Sequence, residues 1–293
     1  MPLSWSKTFV GMACFLGRKN DNITFKKGIF MTSASRPVVI AGNWKMYKTI
    51  EEATAFVPEL VSLINTPQAQ IYLAVPFTAI KATSEAAKDT VLIVGAQNIN
   101  DASEGAFTGE IAGKMLKDAG AEFVIIGHSE RRRLFYETDD LINKKVKRAL
   151  QDNLQVIFCV GESKKEREAQ QTHEVLARQL KEGLADISAE QLRHIIIAYE
   201  PIWAIGMPQP AGAETAQDAH AFCRQLINEG WDEKAAEQII IQYGGAVKPE
   251  NAKKFLEQPD IDGLLVGGAS LSAKDFAQII NCYNSIYEEG ITK

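Results

Sequence analysis

Ile195-Ile-Ile-Ala-Tyr-Glu-Pro-Ile-Trp-Ala-Ile-Gly-Met-Pro-Gln-Pro-Ala211 is the stretch that decides the fold. Four apolar residues and a tyrosine form the pattern of a strand buried on both faces, as strands of a parallel sheet are. Glu200 ends the run, and Pro201 prevents the ladder from continuing. A carboxylate thus stands at the carboxyl end of a buried strand, which in parallel α/β architectures is the end where ligands bind. Taken alone, such a glutamate caps a helix or meets solvent as often as it does chemistry. The loop that follows shifts the balance. Ile202, Trp203, Ala204 and Ile205 are too apolar for an idle surface connection and suit a lid over a ligand. The reading is a general base beneath a lid.

Outward from this stretch, short apolar runs alternate with helical periodicity from Pro37 to the end. The predicted strands are 38–41, 71–75, 91–96, 123–127, 155–160, 195–199, 239–243 and 263–266. Helical patterns over 50–63, 79–87, 111–119, 139–151, 167–184, 216–228, 251–256 and 273–287 follow them in turn. Strict alternation implies parallel strands joined by right-handed crossovers. Eight units suit a closed (β/α)8 barrel, which has no edges to protect and commonly takes about 250 residues. No linker or repeat divides residues 37–293, so they are expected to be a single catalytic domain.

Residues 1–36 differ. Lys7, Arg18, Lys19, Lys26, Lys27 and Arg36 face a single acid, Asp21, and the apolar patch 8–17 is too short to span a bilayer. Three readings stand: an unstructured extension, a cleaved targeting leader, or an upstream start with Met31 as the working initiator. A net charge of −5 argues against a nucleic-acid or anionic-membrane surface. Cys14, Cys159, Cys223 and Cys282 are too scattered for a metal site and fit reduced thiols in the cytoplasm, with Cys159 a small core residue.

The other strand ends test the barrel. Strand one leads into Gly42-Asn43-Trp44-Lys45, which would set a cation at the mouth. Strand four leads into Gly127-His128-Ser129-Glu130, where His128 precedes a helix start. Backbone N–H groups there would bond one ring nitrogen and keep the ring neutral, leaving the other to donate. Strand five leads into Gly161-Glu162. Strands seven and eight lead into Gly244-Gly245-Ala246 and Gly267-Gly268-Ala269-Ser270, bare backbone suited to a phosphate. Together these groups suit proton transfer beside a carbonyl on a small phosphorylated compound, with no cofactor or metal.

Six stretches give the chain a resemblance to the triosephosphate isomerase family. They are Ala41-Gly-Asn-Trp-Lys-Met46, Gly105-Ala-Phe-Thr-Gly-Glu110, Gly127-His-Ser-Glu-Arg-Arg132, Ala198 to Gly206, Tyr243-Gly-Gly245 and Leu265-Val-Gly-Gly-Ala-Ser-Leu271. The resemblance implies cofactor-free interconversion of dihydroxyacetone phosphate and glyceraldehyde 3-phosphate, a step of glycolysis and gluconeogenesis. It implies Glu200 as base, His128 as electrophile, and Lys45 with Asn43 holding substrate. Gly206, Gly267 and Gly268 would give N–H groups to the phosphate, with Ser129, Glu130, Glu162, Trp203 and Tyr243 in support. It also implies a homodimer in which the loop 98–110 carries Thr108 into the partner's mouth. The family is itself the standard illustration of a glutamate base with a neutral histidine under a closing loop, so that logic belongs to the family.

One region departs from the family. Its lid tip normally reads Gly-Thr-Gly-Lys-Thr-Ala, against Gly206-Met-Pro-Gln-Pro-Ala211 here, and a serine of the family is replaced by Ala246. Ala246 has no hydroxyl and Pro208 no N–H, so both partners of one closing hydrogen bond are missing together. Tyr243 can still reach the N–H of Ala211. A lost bond to a charged group, about 1.5–3 kcal/mol, corresponds to a roughly ten- to hundredfold lower kcat/KM. The alternative reading is therefore a weakened or silent paralogue kept for binding or assembly. Tyr47, where the family commonly has asparagine, is a smaller departure.

Overall fold

The computed structural model describes residues 36–205, 211–288 and 290. Eight parallel strands close on themselves in sequence order: β1 Val39–Asn43, β2 Gln70–Val75, β3 Leu92–Ala96, β4 Phe123–Ile126, β5 Gln155–Val160, β6 Ile195–Tyr199, β7 Ile240–Tyr243 and β8 Gly263–Val266. Helices occupy the crossovers, so the expected eight-stranded barrel is the fold. Pairing is extensive between β1 and β2, where Val39 to Asn43 face Gln70 to Ala74. It is slight between β3 and β4 (Gly95–Phe123, Ala96–Val124) and between β7 and β8 (Tyr243–Leu264).

Strand alternation sorts the buried side chains into two cores. Val39, Ala41, Tyr72, Ala74, Phe123, Ile125, Ile157, Cys159, Ile196, Ala198 and Leu265 pack together, apart from the residues between strands and helices. The rings of Phe123 and Tyr72 lie 4.8 Å apart. Gly95 makes room for Phe123, since a Cβ there would stand 2.3 Å from its ring.

The helices start where side chains satisfy the first backbone N–H groups. Thr49 and Glu52 form a reciprocal cap on Ile50–Leu63, as Ser163 and Glu166 do on Lys164–Glu168. That second cap bears on a difference from expectation. The pattern over 167–184 is not one helix but two, Lys164–Glu168 and Thr172–Gly183, separated where Gln170 turns to φ 60°. Among the described residues no helix is long and apolar enough to cross a membrane.

Candidate active site

Glu200 follows β6 directly. Its N–H donates to Val160 O (2.7 Å), and Gly244 N donates to Tyr199 O (2.7 Å), so the ladder continues past the strands and packs their ends together. This closeness demands glycine on both sides. A Cβ on Gly161 would stand 1.8 Å from Glu200 O, and one on Gly244 would stand 2.8 Å from Glu200 Cγ. The carboxylate is nearly inaccessible. Oε2 accepts from Ser129 N (2.9 Å), the Ser129 hydroxyl lies 3.4 Å from Oε1, and His128 Nε2 is 3.0 Å from Oε1.

His128 caps the short helix Ser129–Leu134, and its Nδ1 accepts from Glu130 N at 3.2 Å. That bond needs a lone pair on Nδ1, so the pattern places the proton on Nε2, where it is donated to Glu200. Burial opposes charge on either group. For Glu200, the His128 contact, the Ser129 N–H and Lys45 outweigh burial and hold the carboxyl below its ordinary range. For His128, burial and Lys45 oppose protonation, while Glu200 and Glu130 favour it more strongly and move the ring upward. The backbone N–H at Nδ1 opposes that upward pull, because a ring protonated on both nitrogens could not accept it.

Lys45 sits just past β1 at φ 55°, a turn fixed by Asn43, whose side-chain oxygen accepts from Lys45 N at 3.0 Å. Its ammonium pairs with Glu130 at 2.5 Å. A Cβ on Gly267 would lie 3.6 Å from Lys45 Cε, and one on Gly268 would meet nothing within 4 Å among the described residues. Among those residues the glycine turn after β8 is open space beside the lysine. Ser270 holds that turn by donating from both N (2.9 Å) and Oγ (2.7 Å) to Gly267 O, while Trp44 Nε1 donates to Ser270 O at 3.2 Å.

The lid stem is tied down by Glu162, fully buried after β5. It accepts from Tyr199 Oη (3.1 Å to each oxygen), Trp203 Nε1 (2.8 Å) and Thr172 Oγ1 (3.3 Å). At the far stem, burial pushes the Tyr243 phenol upward, while the backbone N–H of Ala211 acts on its hydroxyl in the opposite sense, the contact expected of the latch. Gly206 and the altered tip 207–210 lie outside the described residues, as do all the readings of residues 1–35. Thr108 is exposed on the loop 98–110.

Reading strand ends brought together Asn43, Lys45, His128, Glu130 and Glu200 but missed their neighbours. Gln97 and Asn98, just past β3, line one cavity with Asn43, Lys45, His128 and Glu130, and Met46, Phe77, Arg131 and Phe135 complete it. Applying the same rule to β3 would have found Gln97, whose amide donates to Ala74 O at 3.0 Å. Cys159, read as a core residue, is buried as expected but also adjoins Glu200. Burial first, then the Glu200 charge, pushes its thiol well above the ordinary range.

A family model described as triosephosphate isomerase matches residues 38–283. The chain is 54% identical over 257 residues to the triosephosphate isomerase of Protochlamydia amoebophila, covering 88% of this chain and 97% of that one. It is 51% identical over 246 residues to that of Moorella thermoacetica, covering 84% and 98%. The crystal structure of triosephosphate isomerase from Bartonella henselae superposes with a TM-score of 0.77 at 36% identity, covering 84% of this chain and 99% of that chain.

Proposed function

The chain belongs to the triosephosphate isomerase family, and we propose how its own residues carry that family's reaction, the interconversion of dihydroxyacetone phosphate and glyceraldehyde 3-phosphate. The observation that supports the assignment of roles is the Glu200–His128 contact at 3.0 Å, with the histidine's other nitrogen occupied by a backbone N–H. Substrate entering between them replaces that contact. Glu200 then takes the proton from the carbon beside the carbonyl, and the electron pair moves onto the carbonyl oxygen. Nε2–H of His128 and the ammonium of Lys45 stabilise the enediolate. Return of the proton from Glu200 to the neighbouring carbon, with the hydroxyl proton transferred between the two oxygens, gives the isomer. The open turn at Gly267 and Gly268, together with Gly206, is proposed to hold the phosphate, and Asn43 to hold the substrate beside Lys45.

Met46 and Phe135, which line this cavity, are 94% and 62% exposed, and Phe107, on the loop carrying Thr108, is 52% exposed. Large apolar side chains so exposed favour burial against another protein surface, and we propose a homodimer in which that loop enters the second copy's cavity. The same reading takes 37–293 as the catalytic domain, 1–36 as an extension before it, and the cytoplasm as its location.

The test is conversion of glyceraldehyde 3-phosphate by the purified chain beside Glu200→Gln, with sedimentation at several concentrations. Turnover that the substitution abolishes supports the roles. Equal rates for the two proteins would reject Glu200 as base, and a monomer at every concentration would reject the dimer.

A further inference from the structure

His220 is an ionisable residue that the mechanism leaves unused. It lies in the helix Ala213–Gly230, which begins just after the lid's far stem, and it is completely buried. Its Nδ1 is 2.7 Å from Ala216 O, so Nδ1 carries the proton. Burying an ionisable ring so completely costs stability, so its place calls for a reason beyond filling space.

The neighbours supply one. The His220 ring meets Tyr199 nearly edge-on, with centroids 5.6 Å apart at 86°. It also lies 6.4 Å from the ring of Tyr243, which Phe255 stacks from 4.1 Å. These tyrosines address opposite stems of the loop after β6. Tyr199, through Glu162, fixes Trp203 on the near stem. Tyr243 faces Ala211 on the far stem and also backs the phosphate side, since a Cβ on Gly245 would stand 2.1 Å from its hydroxyl oxygen.

We infer that His220 is a positioning residue: one imidazole sets the rings of Tyr199 and Tyr243 against each other and so registers both stems of the loop with the phosphate side of the site. Its contacts separate this role from proton transfer. His220 touches neither Glu200 nor His128 among the contacts described, so removing it should impair use of the phosphate and spare the carbonyl chemistry. The inference rests on the isomerase reading above.

The test compares glyceraldehyde 3-phosphate with phosphate-free glyceraldehyde, each followed to its ketose by NMR, for the full chain and for His220→Ala. An edge-to-face aromatic contact corresponds to a roughly two- to tenfold change, expected in kcat/KM for the phosphorylated substrate. Glyceraldehyde should isomerise at the wild-type rate. His220→Leu fills the same volume without a ring edge and carries the comparison if the alanine variant fails to fold. Equal losses with both substrates would make His220 merely structural, and no loss with either would remove it from the site. If the wild type turns over neither compound, the isomerase reading itself falls.

Discussion

Replacing His220 with phenylalanine should change the acid side of the stability profile. Burial pushes this imidazole down to about 4, against 6.5 for an ordinary histidine. Arg224 adds to the depression, while the carbonyls of Ala216 and Gln242 and the carboxylate of Asp262 resist it. Between these values the unfolded chain binds a proton that the folded chain refuses. The contribution to stability is therefore present above pH 6.5 and is lost as pH falls toward 4. Linkage gives a loss of about 2 kcal/mol between about pH 7 and about pH 5, rising to about 3 kcal/mol near pH 4. Phenylalanine cannot titrate, so the variant should lack this component while every other group contributes equally. Urea unfolding of both proteins, at one protein concentration across that range, isolates it. The stability gap between wild type and variant should move in the variant's favour by about 2 kcal/mol, a relative midpoint shift of about 1 M at a typical urea slope. A gap that stays constant with pH would refute the argument that burial holds the ring neutral.

Four further outcomes follow from the geometry. Glu200→Gln keeps the shape but removes the base, and kcat should fall by about 10²–10⁴-fold in steady-state assays; a smaller fall would point to another base. Gly244→Ala places a methyl 2.8 Å from Glu200 Cγ. Displacing the base by about 1 Å should lower kcat roughly a hundredfold, and wild-type kcat would show that the end of β7 yields instead. Lys145 is buried, with its ammonium on Glu137 (2.5 Å) and Asn98 (2.8 Å), so Lys145→Met should destabilise by about 3–5 kcal/mol in urea; an unchanged midpoint would mean that Arg131, also on Glu137 at 2.7 Å, is sufficient. Ala246→Ser restores a hydroxyl beside the phosphate region and should tighten glycerol 3-phosphate by about tenfold in calorimetry, an effect of one hydrogen bond to a charged group. Unchanged affinity would show that the alanine costs nothing there.

The barrel is legible because each unit declares itself locally. β5, β6, β8 and the helix Asp139–Gln151 begin and end where apolar runs and caps say they should. The break at Gln170 is not legible, because neither glycine nor proline marks its left-handed turn and the polar run Lys164–Gln171 carries no apolar period whose interruption would show it. Strand ends disclose Lys45, His128 and Glu200, since the fold aims those positions at one face. They do not disclose Cys159 beside the base or His220 behind the tyrosines. Both look like ordinary core positions, and their relation to the site is set by packing between segments remote in sequence.

The two slight strand pairings divide the barrel into half-barrels, β4 to β7 on one side and β8 with β1 to β3 on the other. Glu200 and His128 belong to the first half, and Asn43, Lys45, Gly267 and Gly268 to the second. The proposed base and electrophile thus reside in one half, while the cation proposed to meet the substrate and the open glycine turn reside in the other. Amide exchange should enter first along those two seams, where the fewest ladder bonds hold the backbone. A chain parting there would keep its proton-transfer pair assembled and lose its grip on the substrate, so the integrity of two short seams governs whether binding and chemistry occur in the same place.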